Sequence, residues 1–308
     1  MNLSIISQSI SLKDFSQLSS TFDIYYTLLN NKIQIIYCIN DKAGENISEI
    51  PKIDLEKTRD DIVEFIKTKV DESKTDGIVV GLSGGIDSTL SAYLSCKAVG
   101  NNRMFGITLP SSTTPAEDKI HGIEVAERLG IEYREIEIDP ILNEFLKSTQ
   151  LEEDNLAIGN LKARIRMSII YYYANAKNYL VCGTGNKSEI LIGYFTKHGD
   201  GACDMEPIGD LYKSEVFELS EFLNIQEEII QKPPRAGLWA NQTDEDEIGM
   251  SYDLLDRILY LYTEKDMKNT EIAQKLDISV DDVNMIIDKI GKSEHKSKVP
   301  ESPKKTIL

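Results

Sequence analysis

Gly81-Leu82-Ser83-Gly84-Gly85-Ile86-Asp87-Ser88 lies between the apolar run Ile78-Val79-Val80 and the amphipathic stretch Thr89–Val99. A short buried strand that breaks at consecutive glycines and resumes as a helix is a narrow structural prescription. The glycines let the backbone turn so that its N–H groups face one concavity. Ser83 and Ser88 add hydroxyl donors, and the helix that follows points its positive N-terminus into the same space. That assembly suits a phosphate group. A plain Gly/Ser turn would need no acid at Asp87, whereas a carboxylate there suits a hard dication bridging phosphates. Two commoner phosphate loops are excluded, since Gly-x4-Gly-Lys-Ser/Thr lacks its lysine here and Gly-x-Gly-x-x-Gly is absent.

The pattern around this loop alternates. Apolar positions Ile62, Val63, Phe65, Ile66 and Val70 recur at helical period from Asp54. After the loop, Met104–Leu109 reads as a strand, Ala116–Leu129 as a helix closed by Gly130, and Ile131–Ile138 as a third strand. Helix Leu161–Ala176 then precedes the strand Tyr179–Cys182, and helical patterns dominate beyond Lys213. This rhythm predicts an α/β fold: a doubly wound parallel sheet covered on both faces, with helical additions at the C-terminal end. The core domain is expected over residues 51–287. Residues 1–50 read as an N-terminal extension of unassigned role, where Phe22–Leu29 and Lys32–Ile39 predict a β-hairpin turning at Asn30-Asn31. Residues 288–308 carry six lysines, three acids and two prolines, and are expected as a basic C-terminal tail.

Charge limits the partners. With 34 Lys+Arg against 51 Asp+Glu, the net charge of −17 argues against a nucleic-acid-binding surface, so any anionic ligand must meet a local basic site. The four cysteines Cys38, Cys96, Cys182 and Cys203 form no C-x-x-C pair and have no histidine cluster beside them, which argues against structural zinc, an iron–sulfur cluster or a disulfide scaffold. Cys38 reads as a buried apolar thiol. No apolar run is long enough to span a membrane and no secretory signal is visible, so a reducing cytoplasm is the expected compartment.

The phosphate loop resembles the S-G-G-x-D-S loop of the N-type ATP pyrophosphatases, whose members make GMP, asparagine, modified tRNA and NAD. The second half of the chain narrows this. In order stand Gly159-Asn-Leu-Lys-Ala-Arg-Ile-Arg-Met, Cys182-Gly-Thr-Gly-Asn-Lys-Ser-Glu189, Gly193-Tyr-Phe-Thr-Lys-His-Gly-Asp-Gly201, Cys203-Asp-Met-Glu-Pro-Ile-Gly-Asp-Leu-Tyr-Lys213 and Trp239-Ala-Asn-Gln-Thr-Asp-Glu-Asp-Glu247. Over about residues 55–296 this series resembles the NAD synthetases, specifically the short ammonia-dependent form.

The resemblance implies a ligase. The nicotinate carboxylate of deamido-NAD attacks the α-phosphate of ATP, and ammonia then displaces AMP from the adenylated intermediate to leave NAD. It implies that Gly81–Ser88, Thr184 and Lys213 bind ATP and that Asp87 and Glu189 hold Mg²⁺. Arg164, Lys197, Asp204, His295 and Lys296 match the deamido-NAD contacts, the last two folding over that substrate. Arg235 stands where the family commonly has a small hydroxyl residue that reaches ATP, and an arginine there keeps a phosphate contact available. Arg166, two residues past Arg164, is expected to point elsewhere on its helix and form a structural ion pair. Tyr171–Tyr173 are expected in core or dimer packing. A homodimer is also implied. Glutamine-dependent relatives carry a fused amidase domain, whereas roughly 50 residues precede the synthetase region here, so free ammonia or a separate glutaminase is the expected nitrogen source. The rivals are a tRNA-modifying pyrophosphatase, which the acidic charge and scattered cysteines disfavour, and a non-catalytic nucleotide sensor, which would need neither Glu189 nor the substrate cations.

Overall fold

A computed structural model describes residues 23–29, 32–38, 50–151, 154–235 and 243–303. The predicted Asn30-Asn31 turn, the outer ends of its two strands and the segment Trp239–Gln242 lie outside the described residues. The chain divides into two compact units, residues 1–49 and 50–308. In the first, β1 (Asp23–Leu29) and β2 (Lys32–Cys38) pair antiparallel, with Asp23 opposite Cys38 and Leu29 opposite Lys32.

The second unit begins with α1 (Leu55–Ser73), capped by the Asp54 side chain on Lys57 N at 3.1 Å. There follow β3 (Gly77–Gly81), α2 (Ile86–Val99), β4 (Met104–Thr108), α3 (Ala116–Leu129), β5 (Glu132–Glu135), α4 (Asp139–Thr149), α5 (Asn155–Lys177) and β6 (Tyr179–Cys182). The four strands form one parallel sheet in the order β5-β4-β3-β6. The chain winds outward from β3 through β4 to β5, then returns to place β6 on the other side of β3. A crevice therefore opens beyond the C-terminal ends of β3 and β6, which is where doubly wound sheets bind ligands.

Alternation along β3 builds the two layers. Ile78 and Val80 pack with Ile66 and Val70 of α1 and Leu90 and Leu94 of α2, while Val79 faces Phe105, Val181 and Ile170 of α5. All three β3 side chains are fully buried. Beyond β6 lie α6 (Lys187–Ile192), α7 (Lys213–Phe222), α8 (Glu227–Ile230), α9 (Asp244–Ile248), α10 (Tyr252–Thr263), α11 (Asn269–Leu276) and α12 (Val280–Ser297). Leu255, Ile258, Leu259, Ile272, Val283 and Ile286 give α10, α11 and α12 a separate core, whereas Val216 and Leu219 of α7 and Ile229 of α8 join the layer of α1 and α2.

Several boundaries differ from the sequence reading, three of them with a visible cause. β5 stops at Glu135 rather than Ile138, because Pro140 opens α4 in the next turn; Ile136 N and Ile138 N still donate to Thr108 O and Pro110 O, both at 3.0 Å. α5 starts at Asn155 rather than Leu161, since Asp154 caps it by accepting from Ala157 N at 2.7 Å. Residues 288–297, expected within a basic tail, continue α12, which Ser279 caps and whose Ser293 packs against Gly193.

Candidate active site

A cavity of about 780 Å³ opens at the switch point, walled by the phosphate loop, α5 and the loop after β6. Leu82 N donates to Ile107 O at 2.8 Å, which keeps the chain in line with the sheet for one residue past β3. Gly84 then takes a φ of +78°, and a Cβ there would lie 2.1 Å from Asp118 O. Only glycine fits both the left-handed backbone and the close approach. The loop is internally tied: Ser83 Oγ and Ser88 Oγ are 2.9 Å apart, Gly85 N donates to Ser83 Oγ at 3.2 Å, and Ser88 Oγ donates to Gly85 O at 3.0 Å.

Lys232 holds the loop from outside. Its Nζ donates to Gly84 O and to Asp118 Oδ1, each at 2.7 Å, and sits 3.0 Å from His121 Nδ1. With the Gly84 carbonyl fixed by this lysine, the loop is braced against α3. Arg235 joins the same cluster. It pairs with Glu117, and its Nε is 3.5 Å from Asp118 Oδ2, so in this state its charge is directed at the first turn of α3 while the residue lines the cavity.

Two carboxylates and one lysine converge beside the loop. Asp87 is in the first turn of α2, and Glu189 closes a capping box at the start of α6, its amide donating to Asn186 Oδ1 at 3.0 Å. Asn186 Nδ2 in turn donates to Asp87 Oδ1 at 2.9 Å, which fixes the two helix starts to each other. Lys213 Nζ donates to Asp87 Oδ2 at 2.6 Å and to Glu189 Oε1 at 3.4 Å, lies 5.0 Å from the centre of the Tyr252 ring and is 1% exposed. Burial alone would lower its pKa, but Asp87 and Glu189 together raise it above the usual lysine range, so the amine stays charged. Burial pushes Glu189 up to about 8 against the pull of Lys213.

Residues that the sequence reading did not single out complete this end. Asp244, buried and raised in pKa mainly by desolvation, accepts from Tyr194 Oη at 3.1 Å and Tyr252 Oη at 3.3 Å. Its signal was ambiguous, because an acid after Thr243 at a helix start is also an ordinary first-turn residue. Glu206 accepts from Gly185 N at 3.0 Å and so steadies the loop that carries Thr184 into the cavity.

Arg164, Lys197, His295 and Lys296 come together at the opposite wall. Arg164 Nε donates to Lys197 O at 3.2 Å, and Lys197 Nζ donates to His295 O at 2.6 Å. Lys296 Nζ donates to Gly193 O at 2.7 Å and Phe195 O at 2.8 Å. These bonds fasten the end of α12 to the 193–197 loop. Asp204 does not line the cavity: it is exposed, with Oδ2 accepting from Val181 N at 2.7 Å and Oδ1 from Tyr171 Oη at 3.1 Å. Arg166 corrects the helical-wheel expectation. It lines the cavity, its Nε donates to Leu109 O at 2.9 Å, and among the described residues it forms no ion pair. Tyr173 stacks on Phe105 with centroids 5.2 Å apart, while Tyr172 is exposed. Cys96, Cys182 and Cys203 are free, and burial pushes the Cys182 thiol up to about 12.

Residues 58–300 match the family model described as NAD synthase. An NH(3)-dependent NAD(+) synthetase of Methanocaldococcus jannaschii is 48% identical over 252 residues, 81% of this chain and 97% of that one. The Methanosarcina acetivorans protein of the same description is 47% identical over 82% of this chain and 99% of its own. Among solved structures, the NH3-dependent NAD synthetase of Campylobacter jejuni in complex with a nitrate ion superposes with a TM-score of 0.71 at 35% identity, covering 82% of this chain and all of that one. An NMN synthetase from Francisella tularensis gives 0.73, also at 35% identity, over 82% of this chain and 99% of its own. A parallel sheet with its phosphate loop at the switch point, the paired carboxylates beside it and these likenesses over four fifths of the chain lead to one assignment: the chain belongs to the NAD synthase family.

Proposed function

We propose that this chain is a ligase that amidates deamido-NAD to NAD with ammonia and ATP, releasing AMP and pyrophosphate. The observation that carries the reading is the convergence of Asp87 and Glu189 on the Lys213 amine, at 2.6 and 3.4 Å, beside a glycine-rich phosphate loop. A carboxylate does not condense with ammonia at neutral pH, so adenylation supplies the leaving group. No protein nucleophile is needed, and the work of the site is positioning and charge stabilisation. The 81–88 loop and Lys213 receive the departing pyrophosphate, Thr184 and Arg235 border the ATP, and Arg164, Lys197, His295 and Lys296 wall the space for the acceptor.

Magnesium suits this site. Asp87 and Glu189 offer hard oxygen donors that already share one cation, Lys213, and two carboxylates are the small protein share that Mg²⁺ takes when phosphates supply the rest. Bound by these two residues, it would neutralise charge on the phosphates during transfer.

Free ammonia, or ammonia from a separate glutaminase, is the proposed nitrogen source. A homodimer is the proposed assembly, and the exposed apolar side chains Ile141 and Phe145 on α4 and Tyr172 on α5 support it. No helix among the described residues is long and apolar enough to cross a membrane; the free thiols of Cys96, Cys182 and Cys203 accord with a cytoplasmic setting. The likeness to an NMN synthetase makes a mononucleotide acceptor the second reading.

Purified protein with ATP, Mg²⁺ and ammonium should form NAD from deamido-NAD with one AMP per NAD, prefer that acceptor to nicotinate mononucleotide, and gain nothing from glutamine alone. Preference for the mononucleotide selects the second reading. Asp87→Ala should abolish turnover while far-UV circular dichroism stays unchanged; near wild-type turnover in that variant rejects the site assignment.

A further inference from the structure

Arg166 stands in the cavity wall as a cation without a counter-ion. Its Nε donates to Leu109 O, just beyond β4, at 2.9 Å; among the described residues its terminal nitrogens have no hydrogen-bond partner, and neither is sealed from solvent. The nearest acids are already engaged. Asp139 Oδ2 accepts from Ser112 N at 2.7 Å and Asp200 Oδ1 from Thr196 N at 3.0 Å. Their attraction only partly offsets desolvation, which pulls the Arg166 pKa below its usual value, and Lys162 on the same helix adds a like charge nearby. Half-buried in the cavity wall and without a counter-ion, the guanidinium keeps its terminal donors available to an anionic ligand in the cavity.

Geometry gives the ligand class. The Nε–Leu109 bond pins the guanidinium and leaves the terminal N–H fork open, the arrangement that receives a phosphate or carboxylate in a bidentate way. The amines of Lys197 and Lys296 differ in being held on backbone carbonyls. We propose that Arg166 is an anion-binding residue of the reaction centre, its terminal nitrogens taking a phosphate or carboxylate oxygen of a bound substrate. This rests on the amidation reading above.

The first arm uses wild-type protein and needs no turnover. Phenylglyoxal should modify Arg166, as mapped by peptide mass spectrometry, and saturating ATP or deamido-NAD should protect it, the protecting ligand identifying which substrate supplies the anion. An Arg166 that is unmodified in the free protein, or modified equally with both ligands present, overturns the proposal. The second arm compares Arg166→Met and Arg166→Lys. Losing a hydrogen bond to a charged group should raise KM for one substrate by about tenfold or more in the methionine variant, with the lysine variant recovering part of it. Both KM values and kcat within twofold of wild type in a folded methionine variant also overturn it. If that variant does not fold, the labelling result decides. Wild-type protein that binds ATP but makes no NAD would refute the amidation reading while leaving the protection experiment valid.

Discussion

Gly84 concentrates two demands on one residue. Its φ of +78° disfavours any side chain, and a Cβ would meet the Asp118 carbonyl at 2.1 Å, a backbone atom that cannot swing away. Gly84→Ala must therefore displace the phosphate loop or push α3 outward. Because the loop acts by placing its donors around phosphate, a shift of an ångström should cost about 100-fold in turnover or more, with raised KM for ATP. Steady-state kinetics beside a melting curve would separate this from simple unfolding. Lys213 makes the opposite kind of prediction. Replacing it with methionine leaves Asp87 and Glu189 facing each other without their cation. Turnover should fall by about 10³-fold through loss of a preorganised positive group. Mg²⁺ affinity in the absence of ATP should rise, because a like charge has left the carboxylates; calorimetry reads that sign directly, and unchanged or weaker binding would contradict the shared-cation arrangement.

At the scale of elements, the phosphate loop is held between α2, which continues from it, and the 232–235 segment, which braces it from α3. Lys232→Met would leave Gly84 O and the Asp118 carboxylate without their shared donor. Removing one partner of a buried pair costs about 3–5 kcal/mol, so a marked fall in Tm is expected, together with weaker ATP binding even at temperatures where the variant stays folded. ATP affinity equal to wild type in a destabilised variant would show that Lys232 serves stability alone. Much of this frame is legible in the residues. Ile78-Val79-Val80, the Gly81–Ser88 loop and the alternation through Gly130 determine the sheet and the place where it binds, because burial period and glycine conformations are local properties. Arg166 and Asp204 were not legible for the converse reason. Spacing on a helix assigns a Cα to a face, but a long arginine reaches round it to Leu109 O. Asp204 has its carboxylate on Val181 N and Tyr171 Oη, partners 23 and 33 residues away. Asp244 and Tyr252 acquire their relation to Glu189 only when α9 and α10 fold back on α6.

Across the whole molecule, the acids of this site and its supports share a consequence for stability. Desolvation raises Glu206 and Glu215, the latter in the first turn of α7 where it accepts from Tyr212 N at 2.8 Å, to about 7 and Glu189 to about 8, from an ordinary value of 4.5. A carboxyl whose pKa is higher folded than unfolded holds its proton more tightly in the folded state. Between the two values folding takes up a proton, and stability then falls as pH rises. Acids shifted the other way, such as Glu117, lowered chiefly by its hydrogen bond to Arg235, act below 4.5 and do not oppose this trend in the neutral range. The ligand-free protein should therefore melt higher at pH 6 than at pH 8. Each of Glu206 and Glu215 contributes about 1 kcal/mol to that difference, which in a domain of this size amounts to several degrees in total. Mg²⁺ with ATP should narrow the gap at pH 8, where an ionised Glu189 is ready to bind and binding favours the folded state. Thermal scans at the two pH values, with and without Mg²⁺ and ATP, check both parts. A melting temperature that rises from pH 6 to pH 8 in the free protein would mean that these carboxyls are ionised when folded, held by Lys213 and the loop amides more strongly than burial disfavours their charge.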